Sequence, residues 1–249
     1  MKLINNVFRR FLRKASTNRT TSGVILSYPR SGNHLVRYYI EFATGRPTLG
    51  YINNRKDIPM CENSYCASQS PLSHVSGTAE FSKFHRPDQI YNSEQKSRIA
   101  QTKKLIVVVR NPLECIARHA GYDWTNETVK NHAIAWTETL LYFRSFVGLK
   151  HLVQYEKLIC DSKIQELETL LYFVNAEPNL MAKLFSGLAE YTELNRTATN
   201  RSWAGSISNN QINFHLERVS RKQEFIKIVG EIVTPIISEF NLQYKSLEL

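Results

Sequence analysis

The amino-acid sequence predicts an α/β protein in which a central parallel sheet lies between two layers of helices, a three-layer α/β/α arrangement. Two observations predict this fold. Apolar runs of strand length alternate along the chain with segments in which apolar residues recur at helical spacing. One run, "KKLIVVVRNP" at 103–112, holds five consecutive aliphatic residues, a pattern typical of a parallel strand that is buried on both faces.

The individual elements are predicted from these patterns in chain order. The first strand, "GVILSY" at 23–28, ends before Pro29, and a helix over 33–44 ends at Gly45. The stretch 46–79 is rich in Asn, Ser, Pro and Gly, and is predicted to be a long loop of the kind that forms a binding lid or is partly disordered. Further strands are predicted at 79–87, 103–112 and 150–158, and further helices at 113–122, 129–146, 163–175 and about 213–240.

The chain of 249 residues has no internal repeat and fits one domain over 22–249, preceded by a basic segment over 1–21. That segment is predicted to be a frayed or surface helix, with a membrane-surface or targeting role as the alternative. No apolar run reaches the length of a transmembrane helix or of the core of a secretory signal. A cytoplasmic protein without an integral membrane segment is therefore expected.

Charge and cysteine content narrow the class of partner. The formal net charge is +10, which favours an anionic partner such as a nucleotide, an acidic substrate, a nucleic acid or a membrane surface. The four cysteines show no metal-ligand spacing, so no metal site is predicted. Cys115 and Cys160 fall in apolar periodic segments and are predicted to be reduced core residues.

Three of the predicted strands end in cationic or imidazole side chains, in "SYPRSGNH", "SKFHRP" and "VVVRNP". Ligands of parallel sheets bind beyond the carboxyl ends of the strands, so neighbouring strands would bring these side chains into one crevice. The cations and a helix N-terminus would hold a multiply charged anion, and a histidine could act as general base. The residues predicted to converge are Arg30, Ser31, Lys83, His85 and Arg110.

Each of these residues also has a structural interpretation. Arg30 could be a solvent-facing turn residue, His85 a structural histidine and Arg110 a buried ion with a protein partner. The turn after the first strand is not an ATP-binding Walker A loop, because the pattern G-x-x-x-x-G-K-[ST] occurs nowhere in the chain.

The same segments resemble the motifs of the sulfotransferases that use 3′-phosphoadenosine 5′-phosphosulfate. "SYPRSGNH" is similar to their 5′-phosphosulfate-binding loop, Tyr-Pro-Lys/Arg-Ser-Gly-Thr-Thr, and "KFHRP" to their Lys-Thr-His-x-Pro segment. "VVVRNPLECIARHAGY" resembles their 3′-phosphate-binding strand and helix, and "LVQYEKL" their Tyr-Glu-Asp-Leu segment. "NRSWAGSI" stands in the place of their C-terminal nucleotide-covering loop. The likeness runs from about residue 22 to residue 215, with the motifs in family order.

The resemblance implies the sulfotransferase variant of the P-loop NTPase-like fold, the donor 3′-phosphoadenosine 5′-phosphosulfate and the product adenosine 3′,5′-bisphosphate. It implies that His85 is the base and that Lys83 and Arg30 lie beside the sulfonate. Arg118 stands where the family has a phosphate-binding serine. No metal is implied, whereas phosphoryl transfer recruits Mg²⁺. The donor-binding residues implied are Arg30, Ser31, Gly32, Asn33, His34, Arg110, Arg118, Arg201 and Gly205.

The acceptor implied is a small molecule with a hydroxyl or amine group, and a glycan or lipid-linked acceptor is an alternative. A cationic acceptor would be favoured if acidic residues such as Glu80, Asp88, Asp123 and Glu127 line the mouth, although solvated surface carboxylates explain them equally. Three other possibilities compete: a nucleotide-dependent small-molecule kinase, a nucleic-acid-binding protein, and a relative that binds the donor but is catalytically inactive. The second is disfavoured, since the aromatic residues recur at helical spacing typical of core positions.

Overall fold

A computed structural model of the protein describes residues 23–49, 74–77, 79–85, 102–160, 163–193 and 216–244. The predictions for the basic segment 1–21, for most of the loop 46–79, and for Arg201 and Gly205 lie outside the described residues.

The described strands form one parallel sheet with the order β2-β3-β1-β4-β5. β1 lies at its centre, and Gly23 at the start of β1 pairs with Phe81 on one side and with Lys104 on the other. The strands that carry the candidate residues are therefore adjacent, which is the condition under which these residues were expected to converge. Their bounds are β1 Gly23–Ser27, β2 Thr48–Leu49, β3 Phe81–Phe84, β4 Lys104–Val109 and β5 Leu149–Gln154.

Four of the five predicted helices begin and end within three residues of the predicted positions. The described helices are α1 Asn33–Thr44, α2 Pro112–Ala120, α3 Asn126–Ser145, α4 Tyr155–Ile159, α5 Lys163–Phe173, α6 Pro178–Ser186 and α7 Lys222–Glu239, with a 3₁₀ turn over Leu216–Arg218. Gly45 ends α1 in the left-handed conformation, φ 63°, and its N–H donates to the Glu41 carbonyl, as expected of a glycine C-cap.

Successive residues of each strand enter two separate cores, because side chains alternate across a sheet. Val24 and Leu26 of β1 pack with α2, α3 and α7, whereas Ile25 packs with α1, α5 and α6. β4 is buried on both faces from Leu105 to Val109. The protein is therefore a three-layer α/β/α structure, which confirms the predicted α/β fold with a central parallel sheet.

Three local predictions are wrong in detail. The strand predicted over 150–158 ends at Gln154, which pairs with Val109, the last residue of β4. Because β4 offers no further residue for pairing, the chain continues as the helix α4. The segment predicted as one helix over 213–240 contains a 3₁₀ turn over Leu216–Arg218 and then the separate helix α7. Arg221, the residue before α7, adopts a left-handed conformation. Cys115 is buried as predicted, but Cys160 is exposed, because it follows the short helix α4 at the surface.

None of the helices within the described ranges has both the length and the apolar character that crossing a membrane requires.

Candidate functional site

The loop from β1 to α1 makes a tight turn at the carboxyl end of the sheet. Arg30 and Gly32 both adopt left-handed conformations, with φ of 72° and 89°. The Ser31 N–H donates to the Tyr28 carbonyl at 3.3 Å, and the first helical bond of α1 joins the Leu35 N–H to the Gly32 carbonyl at 3.0 Å. The turn therefore presents the N-terminus of α1, with its partial positive charge, beyond the end of β1.

The ring of Tyr155 packs against this turn at Gly32. A Cβ atom on Gly32 would lie 2.0 Å from Cδ2 of Tyr155, so only glycine fits at this position. The Arg110 guanidinium carbon lies 4.7 Å from the centroid of the same ring, a cation–π contact. Arg110 Nη1 also donates to the Arg30 carbonyl at 3.3 Å. Tyr155 thus contacts both the turn and Arg110, a role that its place in the segment "LVQYEKL" did not predict.

The backbone beside Arg110 is fixed by three further contacts. Trp136 Nε1 donates to the Arg110 carbonyl at 3.2 Å. The Asn111 N–H donates to Glu156 Oε1 at 2.8 Å, and the Asn111 side chain caps α2 by accepting the Leu113 N–H at 3.0 Å. These contacts hold Arg110 at the point where β4 ends.

Lys83 and His85 lie in contact at the end of β3. The Lys83 ammonium contacts His85 Nε2, and the lysine is only 7% exposed. Burial and the charge of Arg37 lower the pKa of Lys83 to about 7. Burial and then the charge of Lys83 hold the pKa of His85 well below its usual range, against a raising contact with the Ser27 backbone. The neutral form of the imidazole therefore dominates near neutral pH, as a general base requires.

His34 and Arg118 lie in the same positive field. Burial, followed by Arg37, Lys83, Arg30 and Arg118, lowers the pKa of His34 to about 3. Burial, followed by Arg30 and Arg110, lowers the pKa of Arg118, whose side chain is partly exposed. The fold therefore brings together the cations that the sequence predicted on three different strands and places Arg118 among them.

Ser31 and Asn33 are part of the turn, but their side chains point into the protein. Ser31 is fully buried, with Oγ 3.6 Å from Cys115 Sγ, and Asn33 Nδ2 donates to Ser27 Oγ at 2.8 Å. In this arrangement the Asn33 amide nitrogen is bonded within the protein. A ligand in the turn would meet the backbone N–H groups of these residues instead of their side chains.

Arg37 is a cation near the site that the sequence analysis missed. It is buried within α1, donates from Nε to Thr48 Oγ1 at 2.7 Å, and lies 3.9 Å from Glu41 Oε1. This pairing fixes β2 against α1 and keeps a permanent positive charge behind Lys83 and His34. The signal in the sequence was an arginine four residues before a glutamate in an otherwise apolar helix.

A cluster of three rings, Tyr28, His119 and His132, lies beside the turn; we call it the ring cluster. The Tyr28 hydroxyl lies 2.9 Å from His132 Nδ1. The ring centroids are 5.7 Å apart for Tyr28 and His119, 6.2 Å for Tyr28 and His132, and 5.0 Å for the two imidazoles, all edge-to-face. Side chains from the loop after β1, from α2 and from α3 therefore form one surface.

Acidic residues are placed differently. Glu80 lies at the amino end of β3, where it pairs with Arg46 and Lys104 at 3.5 and 3.4 Å, so it is not at the mouth of the site. Asp123 and Glu127 are exposed, and Asp88 lies outside the described residues. Within the part of the chain that the structure describes, no group of three or more His, Cys, Asp and Glu side chains is arranged to hold a metal ion.

Comparisons with known proteins add no assignment. A scan against models of protein families found no match, and a search of curated protein sequences found none either.

Proposed function

We propose that the protein is a sulfotransferase with a P-loop NTPase-like sulfotransferase fold, which moves the sulfonate group of 3′-phosphoadenosine 5′-phosphosulfate to a hydroxyl or amine of a small-molecule acceptor. One observation carries the proposal. The motif residues Arg30, Lys83, His85 and Arg110 come from three separate segments and meet at the carboxyl ends of adjacent parallel strands. Arg118 joins them where the family has its phosphate-binding serine.

The electrostatics of the site fit a multiply charged anion. The charged forms of Lys83 and Arg118 are disfavoured by burial and by neighbouring cations, which lower the pKa of both groups. Clusters of perturbed ionisable groups of this kind are typical of functional sites. A donor with phosphates at the 3′ and 5′ positions would relieve this repulsion. The turn 30–34 would receive its 5′-phosphosulfate, and Arg110 with Arg118 its 3′-phosphate.

The reaction requires one group that accepts the proton of the acceptor and cations that stabilise negative charge on the leaving bisphosphate. The acceptor oxygen forms a bond to sulfur while the bond from sulfur to the bridging phosphate oxygen breaks, and the acceptor proton passes to His85. Adenosine 3′,5′-bisphosphate leaves. Arg30 and Lys83 stabilise negative charge on the sulfonate and the bridging oxygen, an electrostatic contribution of the kind that dominates many enzymes. Burial is the main cause of the lowered pKa of His85, and the charge of Lys83 adds to it; a bound anionic donor would offset the second contribution and raise the pKa of His85.

The test is a thermal-shift titration with adenosine 3′,5′-bisphosphate, with ATP plus Mg²⁺ as the parallel arm. At about 100 times its dissociation constant, a ligand stabilises the folded state by roughly 2.7 kcal/mol, a shift of about 5–10 °C for a chain of this size. We expect a shift with the bisphosphate alone. Arg110→Gln should reduce it, whereas Arg144→Gln, whose partner Glu239 is at the surface, should not.

A shift with ATP and Mg²⁺ but none with the bisphosphate would reject the proposal in favour of a small-molecule kinase. Equal shifts for Arg110→Gln and Arg144→Gln would mean that the ligand binds elsewhere on the protein.

A further inference from the structure

We propose that the ring cluster of Tyr28, His119 and His132 is part of the acceptor-binding surface, and that it selects an acceptor that carries an acidic group on or near a ring. The inference rests on the proposed function and goes beyond it by naming the chemical class of the acceptor.

The first argument is position. Tyr28 lies two residues before Arg30, in the same turn that would receive the donor. His119 follows Arg118 directly and is among the groups whose charge reaches His85. An acceptor whose hydroxyl lies at His85 therefore has its remaining atoms near this cluster.

The second argument is geometry. The three rings come from three different elements, yet they pack edge-to-face with centroids 5.0–6.2 Å apart, within the range of favourable aromatic pairs. The Tyr28 hydroxyl and His132 Nδ1, 2.9 Å apart, fix the orientation of the His132 imidazole. Tyr28 is buried, His132 is half-buried and His119 is exposed, so the cluster runs from the protein interior to the solvent. The accessible part of the cluster is formed by the imidazoles of His132 and His119, which pack on the buried Tyr28, and a ring of the acceptor can pack against these imidazoles.

The third argument is hydrogen bonding beside the cations of the site. Each imidazole can donate a hydrogen bond from a ring N–H, and Arg30 and Lys83 supply positive charge in the neighbouring site. Hydrogen bonds from such groups to a carboxylate are stronger than those between neutral partners. Of the acidic residues considered for the mouth, Glu80 lies at the opposite end of β3. The ring cluster is therefore better suited to an anionic than to a cationic acceptor.

The test uses three phenols with the same ring and two-carbon side chain, which ends in a carboxylate, in no further group or in an ammonium: 3-(4-hydroxyphenyl)propionate, 4-ethylphenol and tyramine. Sulfonate transfer from labelled donor to each phenol gives kcat/KM. We expect the order propionate, ethylphenol, tyramine, with each imidazole contributing about 3–10-fold to the preference for the acid. His132→Asn keeps an acceptor for the Tyr28 hydroxyl but removes the ionisable ring, and His119→Gln changes a side chain at the surface. Each should lower the ratio of kcat/KM for the propionate to that for ethylphenol.

His151→Phe is the matched control, because His151 lies on β5, away from the ring cluster, and its imidazole stacks on the Phe173 ring. The ratio should be unchanged in this variant. A ratio that stays at the wild-type value in His119→Gln and His132→Asn, or a preference for tyramine, would overturn the inference.

Binding measured by NMR makes the inference testable without turnover. The imidazole signals of His119 and His132, assigned from the two variants, should shift on titration with the propionate and respond less to ethylphenol. Absence of this response would overturn the inference even if sulfonate transfer is found. Failure of the proposed function is a different result: neither binding of the bisphosphate nor transfer to any phenol.

Discussion

Lys83 is the residue whose placement is hardest to explain by stability. An ammonium group that is 7% exposed, near the buried Arg37 and in contact with an imidazole, disfavours the folded state, which is why its pKa falls to about 7. Strained or unfavourable arrangements of this kind persist at functional sites because the rest of the fold compensates for them.

Replacing Lys83 by methionine should therefore separate stability from activity. Methionine keeps most of the volume and removes the buried charge, so Lys83→Met should raise the free energy of unfolding by about 1–3 kcal/mol. Sulfonate transfer should fall sharply, because the leaving oxygen loses its cation. Urea unfolding and a transfer assay with labelled donor measure the two effects. A variant that is less stable than the wild type would show that Lys83 has a stabilising partner in the folded state.

His85 has the clearest kinetic prediction. Loss of a general base costs roughly 10²–10⁴-fold in turnover, so His85→Ala should lose that much in kcat while the bisphosphate still binds with similar affinity. His74→Ala is a suitable control, since His74 bonds the Phe42 carbonyl at 2.9 Å near the opposite end of α1. Turnover near the wild-type value in His85→Ala would remove this histidine from the mechanism.

At the scale of elements, the turn between β1 and α1 depends on β5. Tyr155, directly after β5, fills the space where a side chain on Gly32 would lie and also carries Arg110 on its ring. The donor loop and the strand-end arginine therefore share one support.

Gly32→Ala tests this dependence. A methyl group there meets both an unfavourable φ and the Tyr155 ring, so we expect a loss of about 2–4 kcal/mol in unfolding free energy and weaker binding of the bisphosphate. Gly77 has a similar backbone conformation, φ 84°, but open space around its Cα. Gly77→Ala should therefore lower the free energy of unfolding by only about 1 kcal/mol. Combining Gly32→Ala with Tyr155→Leu should recover part of the loss. Equal costs for the two alanine variants would mean that the ring moves aside freely.

These elements also mark what sequence patterns could and could not predict. Apolar runs and Gly45 predicted β1, β4 and α1 well, because strand burial and helix caps are local properties. The contact of Gly32 with Tyr155 was not predictable, since it depends on which strand lies two places from β1 in the sheet. The inward direction of the Asn33 side chain was missed for a similar reason: its partner, Ser27, becomes available only once the turn has formed.

On the scale of the whole molecule, buried histidines make stability depend on pH. Burial is the main cause of the lowered pKa of His34, His85 and His151. Unfolded histidine titrates near 6.5, so between this value and the lower folded pKa the unfolded chain binds more protons than the folded one. The stabilising contribution of each neutral histidine is complete above about pH 6.5 and is lost as the pH falls below it.

Urea unfolding at pH 7 and pH 5.5 measures this effect. His34 and His85 should each cost about 1 kcal/mol over this interval, and the half-buried His151 less. His34→Gln should flatten the dependence, because glutamine does not titrate. A free energy of unfolding that is the same at both pH values would contradict the burial of neutral imidazoles.

The order of the strands in the sheet has a consequence for synthesis on the ribosome. β1 is the first described strand to emerge, yet both of its partners, β3 and β4, come much later in the chain. Until Lys104 has left the exit tunnel, the apolar segment Val24–Leu26 has no complete sheet to enter, and long-range parallel pairing is intrinsically slow. The nascent chain thus exposes its central strand until both partner strands have been translated. Chaperones that bind exposed apolar segments are expected to act on this region.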